Sequence, residues 1–209
     1  MLTDAQIDRY SRQIILPEVG GVGQERLLAA QMTLLAEADD LTPALNYLAG
    51  AGVGAIHLDC PGDAGRLDLL IAQMAQLNPE VRLGTSAAQA GHHATLLVLA
   101  ASNRIIDAAR QINENAAYAR VIFARLGKPT LIAALPSRPP CLACASPALL
   151  EPVERGSFAA PVAMAAAAET IKMLLSVAPQ PARLIEFIGY ESRSSRLDSQ
   201  WHPGCARCA

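Results

Sequence analysis

Apolar residues recur at helical spacing over residues 5–15 and again over residues 24–30, and Pro17, Gly20, Gly21 and Gly23 interrupt the pattern between them. That spacing predicts two helices forming an N-terminal arm. Residues 31–36 are a short apolar run and predict a strand. Behind it, Thr42-Pro43 has the form of a helix N-cap followed by a first-turn proline, which predicts a helix running to about Ala51 and ended by Gly52 and Gly54. Residues 55–59 predict a second strand, 64–77 a helix, and 81–83 a short third strand after Asn78-Pro79. The run 94–101 is continuously apolar, as a strand buried on both faces is, and 103–117 is amphipathic at helical spacing. Strands at 120–125 and 130–135 flank Gly127-Lys128-Pro129, 159–175 predicts a nearly all-apolar buried helix, and 183–188 predicts a last strand. Residues 190–200 read as a polar connection toward the C-terminus.

Strands alternating with helices in this way predict an α/β fold, doubly wound around a mostly parallel, Rossmann-like sheet. The length of 209 residues suits one domain: the helical arm at 1–30, the core at 31–135, and a C-terminal region at 136–209. Hydrophobic residues make up 52% and charged residues 17%, which argues for a large core and against disorder. A net charge of −2, with no block of lysine or arginine, gives no footprint for nucleic acid or for an anionic membrane. The polar start lacks the apolar run of a signal peptide, and the uncharged stretch 41–58 contains Pro43, Asn46 and glycines rather than a spanning segment. A cytoplasmic protein is expected.

Four of the five cysteines form two C-x-x-C pairs, Cys141/Cys144 and Cys205/Cys208. Two such turns suit a tetrahedral zinc ion, each placing two sulfurs on one side of the metal, and four protein ligands make the site structural. A redox dithiol or unliganded cysteines are the other readings of the pattern. His202 reads as a solvated turn residue, the tandem His92-His93 has no acid or cysteine at ligand spacing, and Cys60 has no nearby cation to activate it. No G-x-S-x-G elbow surrounds Ser157.

The stretch from Arg9 through Tyr10, Arg12 and Gln13 to Gly20, followed by Gly23-Gln24-Glu25-Arg26-Leu27-Leu28, resembles the N-terminal signature of the ThiF/MoeB/HesA family. Residues 45–54 resemble that family's first sheet helix and turn, Leu77-Asn78-Pro79-Glu80-Val81 its later junction, and the cysteine pairs its zinc site. Members of the family use ATP and magnesium to adenylate the C-terminal glycine of a ubiquitin-like or sulfur-carrier protein. The resemblance implies a glycine-rich phosphate turn after the first strand. Counted back from Thr42-Pro43, its glycines fall on Ala36, Ala38, Asp39 and Leu41, and Glu37, Asp39 and Asp40 bring negative charge where a polyphosphate would lie. The same acids also suit the positive end of the following helix without any ligand.

Asp59 matches the family's ribose-binding acid and Arg66 its catalytic lysine, while the segment between them is shorter than the family's. The magnesium-binding aspartate motif falls on Leu99-Ala100-Ala101-Ser102-Asn103, which has no acid. No cysteine lies between Cys144 and Cys205 to act as a covalent acceptor. The resemblance therefore implies a degenerate member without ATP or magnesium, dimerising through its arm as a homodimer or with an active relative. It also implies a site at Arg12 that reaches the neighbouring subunit, and a ubiquitin-like sulfur carrier as a possible partner. The alternative is a divergent adenylyltransferase that works through Arg66, Asp59 and Arg12.

Overall fold

The computed structural model describes residues 1–61, 66–85, 95–115, 118–136, 140–176, 181–189, 191–197 and 205. Among them the elements run α1 (Asp4–Ile14), α2 (Gly20–Ala29), β1 (Gln31–Ala36), α3 (Ala38–Ala51), β2 (Ala55–Asp59), α4 (Leu67–Leu77), β3 (Arg82–Gly84) and β4 (Thr95–Ala100). There follow α5 (Asn103–Asn115), β5 (Arg120–Arg125), β6 (Thr130–Leu135), a short α6 (Leu142–Ala145), α7 (Ala159–Leu175), β7 (Arg183–Ile188) and β8 (Glu191–Arg196).

One eight-stranded sheet takes the order β3-β2-β1-β4-β5-β6-β7-β8. The pairs from β3 through β5 are parallel, and those from β5 through β8 are antiparallel. The parallel half is covered on both faces, as its unbroken apolar strands require. Met32, Leu34 and Ala36 of β1 pack with α3, α4 and α7, whereas Leu35 packs on the opposite side with Ile105 and Ile106 of α5. The expected α/β, doubly wound sheet with a helical arm is thus present.

Three features depart from the sequence expectation. Helix α2 begins at Gly20 rather than near residue 24, so the glycines lie inside it. Helix α3 begins at Ala38 with Glu37 as its N-cap, so Thr42 is no cap and Pro43 lies inside the helix. Asp39 and Asp40 in the first turn favour that earlier start by their charge at the helix's positive end, and a proline so near the start deprives only the Asp39 carbonyl of a helical partner. The polar segment after β7 is the further strand β8, all six residues of which are exposed. It pairs with β7 through its backbone, and hence shows no apolar alternation.

The arm is fixed to the sheet domain by the residues that carry the sequence motifs. Thr3 and Gln6 form a reciprocal capping box at the start of α1. Tyr10, 1% exposed, donates through its hydroxyl to Glu80 Oε2 at 3.1 Å and accepts from Asn78 Nδ2 at 2.8 Å. Asn78 Nδ2 also donates to the Ala49 carbonyl at 2.7 Å, Gln13 Nε2 to that of Gly50 at 3.2 Å, and buried Gln24 to that of Ala51 at 3.0 Å. These bonds engage the last carbonyls of α3, of which Ala49 also accepts from the Gly52 N–H.

A strand switch point bridged by carboxylates and arginines

Connections leave β1 and β4 toward opposite edges of the sheet, so the topological switch point lies between them. A crevice outside the carboxyl ends of those strands is where such folds bind ligands. Here the two sides are joined directly. Ser102, just beyond β4, donates its hydroxyl to Glu37 Oε1, just beyond β1. Arg104 Nη1 lies 3.9 Å from Glu37 Oε2 and donates to the Pro61 carbonyl at 2.9 Å.

The next two acids are paired as well. Asp39 lies 2.8 Å from Arg66 Nη2, with both side chains more than half exposed. Asp40 lies 2.6 Å from Arg155 Nη2 and is only 3% exposed. Exposed pairs contribute little, whereas the buried carboxylate depends on its partner. Burial pushes the Asp40 carboxyl above the usual carboxylate range, Arg155 opposes this, and Asp39 and Glu37 add to the rise.

Arg155 belongs to a strap, residues 151–156, laid across the ends of β4 and β5. The buried guanidinium of Arg125, at the end of β5, donates to the carbonyls of Glu151 and Pro152, each at 2.6 Å, and to that of Lys128 at 3.0 Å. Asn103 Oδ1 accepts from Val153 N at 2.8 Å, and Gly156 N donates to the Leu126 carbonyl at 2.7 Å. The strap lies so close to Gly127 that a Cβ there would sit 2.0 Å from the Glu154 carbonyl oxygen. Only glycine admits that approach.

The residues singled out in the sequence fall as follows. Ala36 and Leu41 are fully buried in the core, and Ala38, Asp39 and Leu41 lie in the first turn of α3, directly after β1. Arg66 precedes the first residue of α4 and its side chain is engaged with Asp39. Asp59 closes β2 at the same edge of the sheet, its pKa raised by burial and held back by His57. Arg12 stands exposed in the last turn of α1, with no hydrogen bond or ion pair to a described residue. The sequence reading placed Ser102 at the magnesium motif without its bond to Glu37, and gave no role to Arg104, Arg125 or Arg155. An arginine far along the chain carries no local mark of the carboxylate it meets.

The sulfurs of Cys141, Cys144 and Cys205 lie within 4.8 Å of one another and can hold a metal, while Cys208, His92, His93 and His202 lie outside the described residues. Cys141 and Cys205 are 3.9 Å apart at sulfur, close to the roughly 3.8 Å edge of a tetrahedron with Zn–S bonds of about 2.3 Å. The three thiols present therefore fit a thiolate metal centre.

Comparison with known proteins gives a consistent result. No family model matches the chain. A sulfur carrier protein adenylyltransferase of Thermus thermophilus is 28% identical over 255 residues, covering 99% of this chain and 92% of that protein. The SAMP-activating enzyme E1 of Haloferax volcanii is 31% identical over 125 residues, which is 51% of this chain and 46% of that protein. The sulfur carrier protein ThiS adenylyltransferase of Escherichia coli is 34% identical over 100 residues, 39% of this chain and 40% of its own. Among solved structures, E. coli MccB with ATP has the same fold, with a TM-score of 0.69 at 16% identity over 97% of this chain and 74% of that one. The adenylyltransferase likeness spans the whole chain, and the motifs that carry it meet in one bonded cluster between arm and sheet. The chain is thus similar over nearly its whole length to a sulfur carrier protein adenylyltransferase, and over shorter stretches to further ThiF/MoeB-type adenylyltransferases.

Proposed function

We propose that this chain is a non-catalytic member of the ThiF/MoeB/HesA family, acting as a dimerising or carrier-binding subunit in the activation of a sulfur-carrier or ubiquitin-like protein. The observation that carries the reading is the bridged switch point. Glu37, Asp39 and Asp40 present negative charge at the start of α3, and the cations around them are already engaged. A polyphosphate placed there would meet three carboxylates and would have to break their pairs. Ser102 and Asn103 stand where the family's magnesium aspartate motif falls, and both are hydrogen-bonded within the chain. The arm, by contrast, is firmly built and presents Arg12 outward, as a subunit contributing an arginine to a neighbour requires. Zinc held by Cys141, Cys144, Cys205 and Cys208 completes the proposal as a structural cofactor.

Calorimetry with magnesium and ATP tests the reading, together with carrier-dependent pyrophosphate exchange and sedimentation. The expected outcome is a dimer with no ATP binding in the micromolar range and no exchange. Micromolar binding with exchange overturns it in favour of a divergent adenylyltransferase. The full-length likeness to the Thermus thermophilus enzyme supports that second reading. If an active relative copurifies, Arg12→Ala should lower that relative's adenylation rate.

A further inference from the structure

At the end of the sheet away from the switch point, a cavity of about 510 Å³ is lined by Glu18, Glu169, Lys172, Met173, Leu175 and Arg183. Ala134 also lines it and pairs with Ile122 near the start of β5, far from the carboxyl ends of the parallel strands. The cavity shares no residue with the bridge between β1 and β4. Glu169 on α7 is 7% exposed and both of its oxygens are engaged, Oε1 with Lys172 Nζ at 2.8 Å and Oε2 with Arg183 Nη2. A buried carboxylate held in this way fixes both cations at the cavity wall. Strand register adds a third cation. Arg196 of β8 stands directly opposite Arg183 of β7, so the two side chains share a face of the sheet and repel. Glu169 is one carboxylate against three cations, and Arg196 is exposed with no ion pair to a described residue.

The arm contributes the opposite sign. Glu18, exposed between α1 and α2, makes no ion pair with a described residue. Helix α7 closes at Leu175, and the negative end of a helix favours cations; the Leu175 carbonyl already accepts from Arg26 Nη1 at 3.3 Å. Met173 and Leu175 give the same cavity an apolar wall. A space of small-molecule size that offers unmet positive charge, unmet negative charge and apolar surface fits a ligand carrying all three complements. We infer that the cavity binds a small apolar zwitterion of the α-amino-acid kind. Its carboxylate meets Arg183 with Arg196 beside it, its ammonium meets Glu18 and the end of α7, and its side chain lies against Met173 and Leu175. The inference does not depend on whether the switch point binds ATP.

Calorimetric titration of the full chain with L-leucine, glycine, L-leucinol and 4-methylpentanoate tests it, the last three lacking in turn the side chain, the carboxylate and the ammonium. L-Leucine should bind saturably, and each of the others about tenfold or more weakly than leucine. Glu18→Gln should shrink the preference for leucine over 4-methylpentanoate, and Arg196→Gln the preference for leucine over leucinol. Both positions are exposed, and circular dichroism checks that the variants are folded. Absence of saturable leucine binding overturns the inference, and so does a preference left unchanged in either variant. Binding of 4-methylpentanoate, leucinol or glycine as tightly as leucine removes the ammonium, carboxylate or apolar contact respectively, and any one of these results overturns the zwitterion assignment.

Discussion

Asp59 ends its strand half-buried, and burial raises its pKa despite the nearby His57. A carboxyl whose folded pKa is raised binds its proton more tightly in the folded than in the unfolded chain. Its ionised form therefore lowers stability at neutral pH, and that cost vanishes as the pH falls below the ordinary carboxylate value of about 3.9. Asp59→Asn should raise the urea midpoint at pH 7, with the gain shrinking toward pH 3. A lower midpoint at pH 7 would mean that the ionised group is held by a partner. The acids at this edge were legible in the sequence because Asp39 replaces a glycine of a motif with a fixed spacing, Glu37 and Asp40 flank it, and Asp59 matches an acid of the same motif family. Arg104 and Arg155 were not, because they reach Glu37 and Asp40 only after the sheet has brought β4, β5 and the strap beside β1.

Most strands and helices were legible because apolar periodicity and turn residues agree on them. Helix α7 and strands β1, β2, β5, β6 and β7 need no correction at all. The failures arise where two local signals compete. Thr42-Pro43 resembles a helix start, but Asp39 and Asp40 provide an earlier one. Strand β8 exists through backbone pairing alone, and polar side chains do not announce it. Gly52 shows an element boundary under double constraint. It ends α3 with a left-handed φ of 83°, and a Cβ there would lie 2.8 Å from the Tyr10 ring. Gly52→Ala should destabilise the protein by about 1–2 kcal/mol from the backbone alone, with the collision against Tyr10 in addition. Gly50→Ala, in the same helix with no atom within 4 Å of the new Cβ, should be neutral or stabilising. Equal urea midpoints for the two variants would refute the role given to Gly52.

Across the whole molecule, the thiol cluster joins residue 141, just beyond the sheet's antiparallel half, to residue 205 near the C-terminus. Metal binding there adds to folding stability because the unfolded chain holds no preformed site. Purified protein should contain about one zinc per chain, chelation should lower the melting temperature, and Cys205→Ser should lose the metal. Less than half an equivalent in the parent protein would refute the zinc proposal. The paired spacing made this centre legible, whereas the strap that crosses the sheet was not, since its anchors are backbone carbonyls. The Asp40–Arg155 contact also constrains the order in which the sequence can drift. Losing Asp40 first releases Arg155, half exposed, into water, whereas losing Arg155 first strands a buried carboxylate. The molecule's accessible histories are therefore directional: an ancestor acquires the arginine before the acid, and a descendant sheds the acid before the arginine.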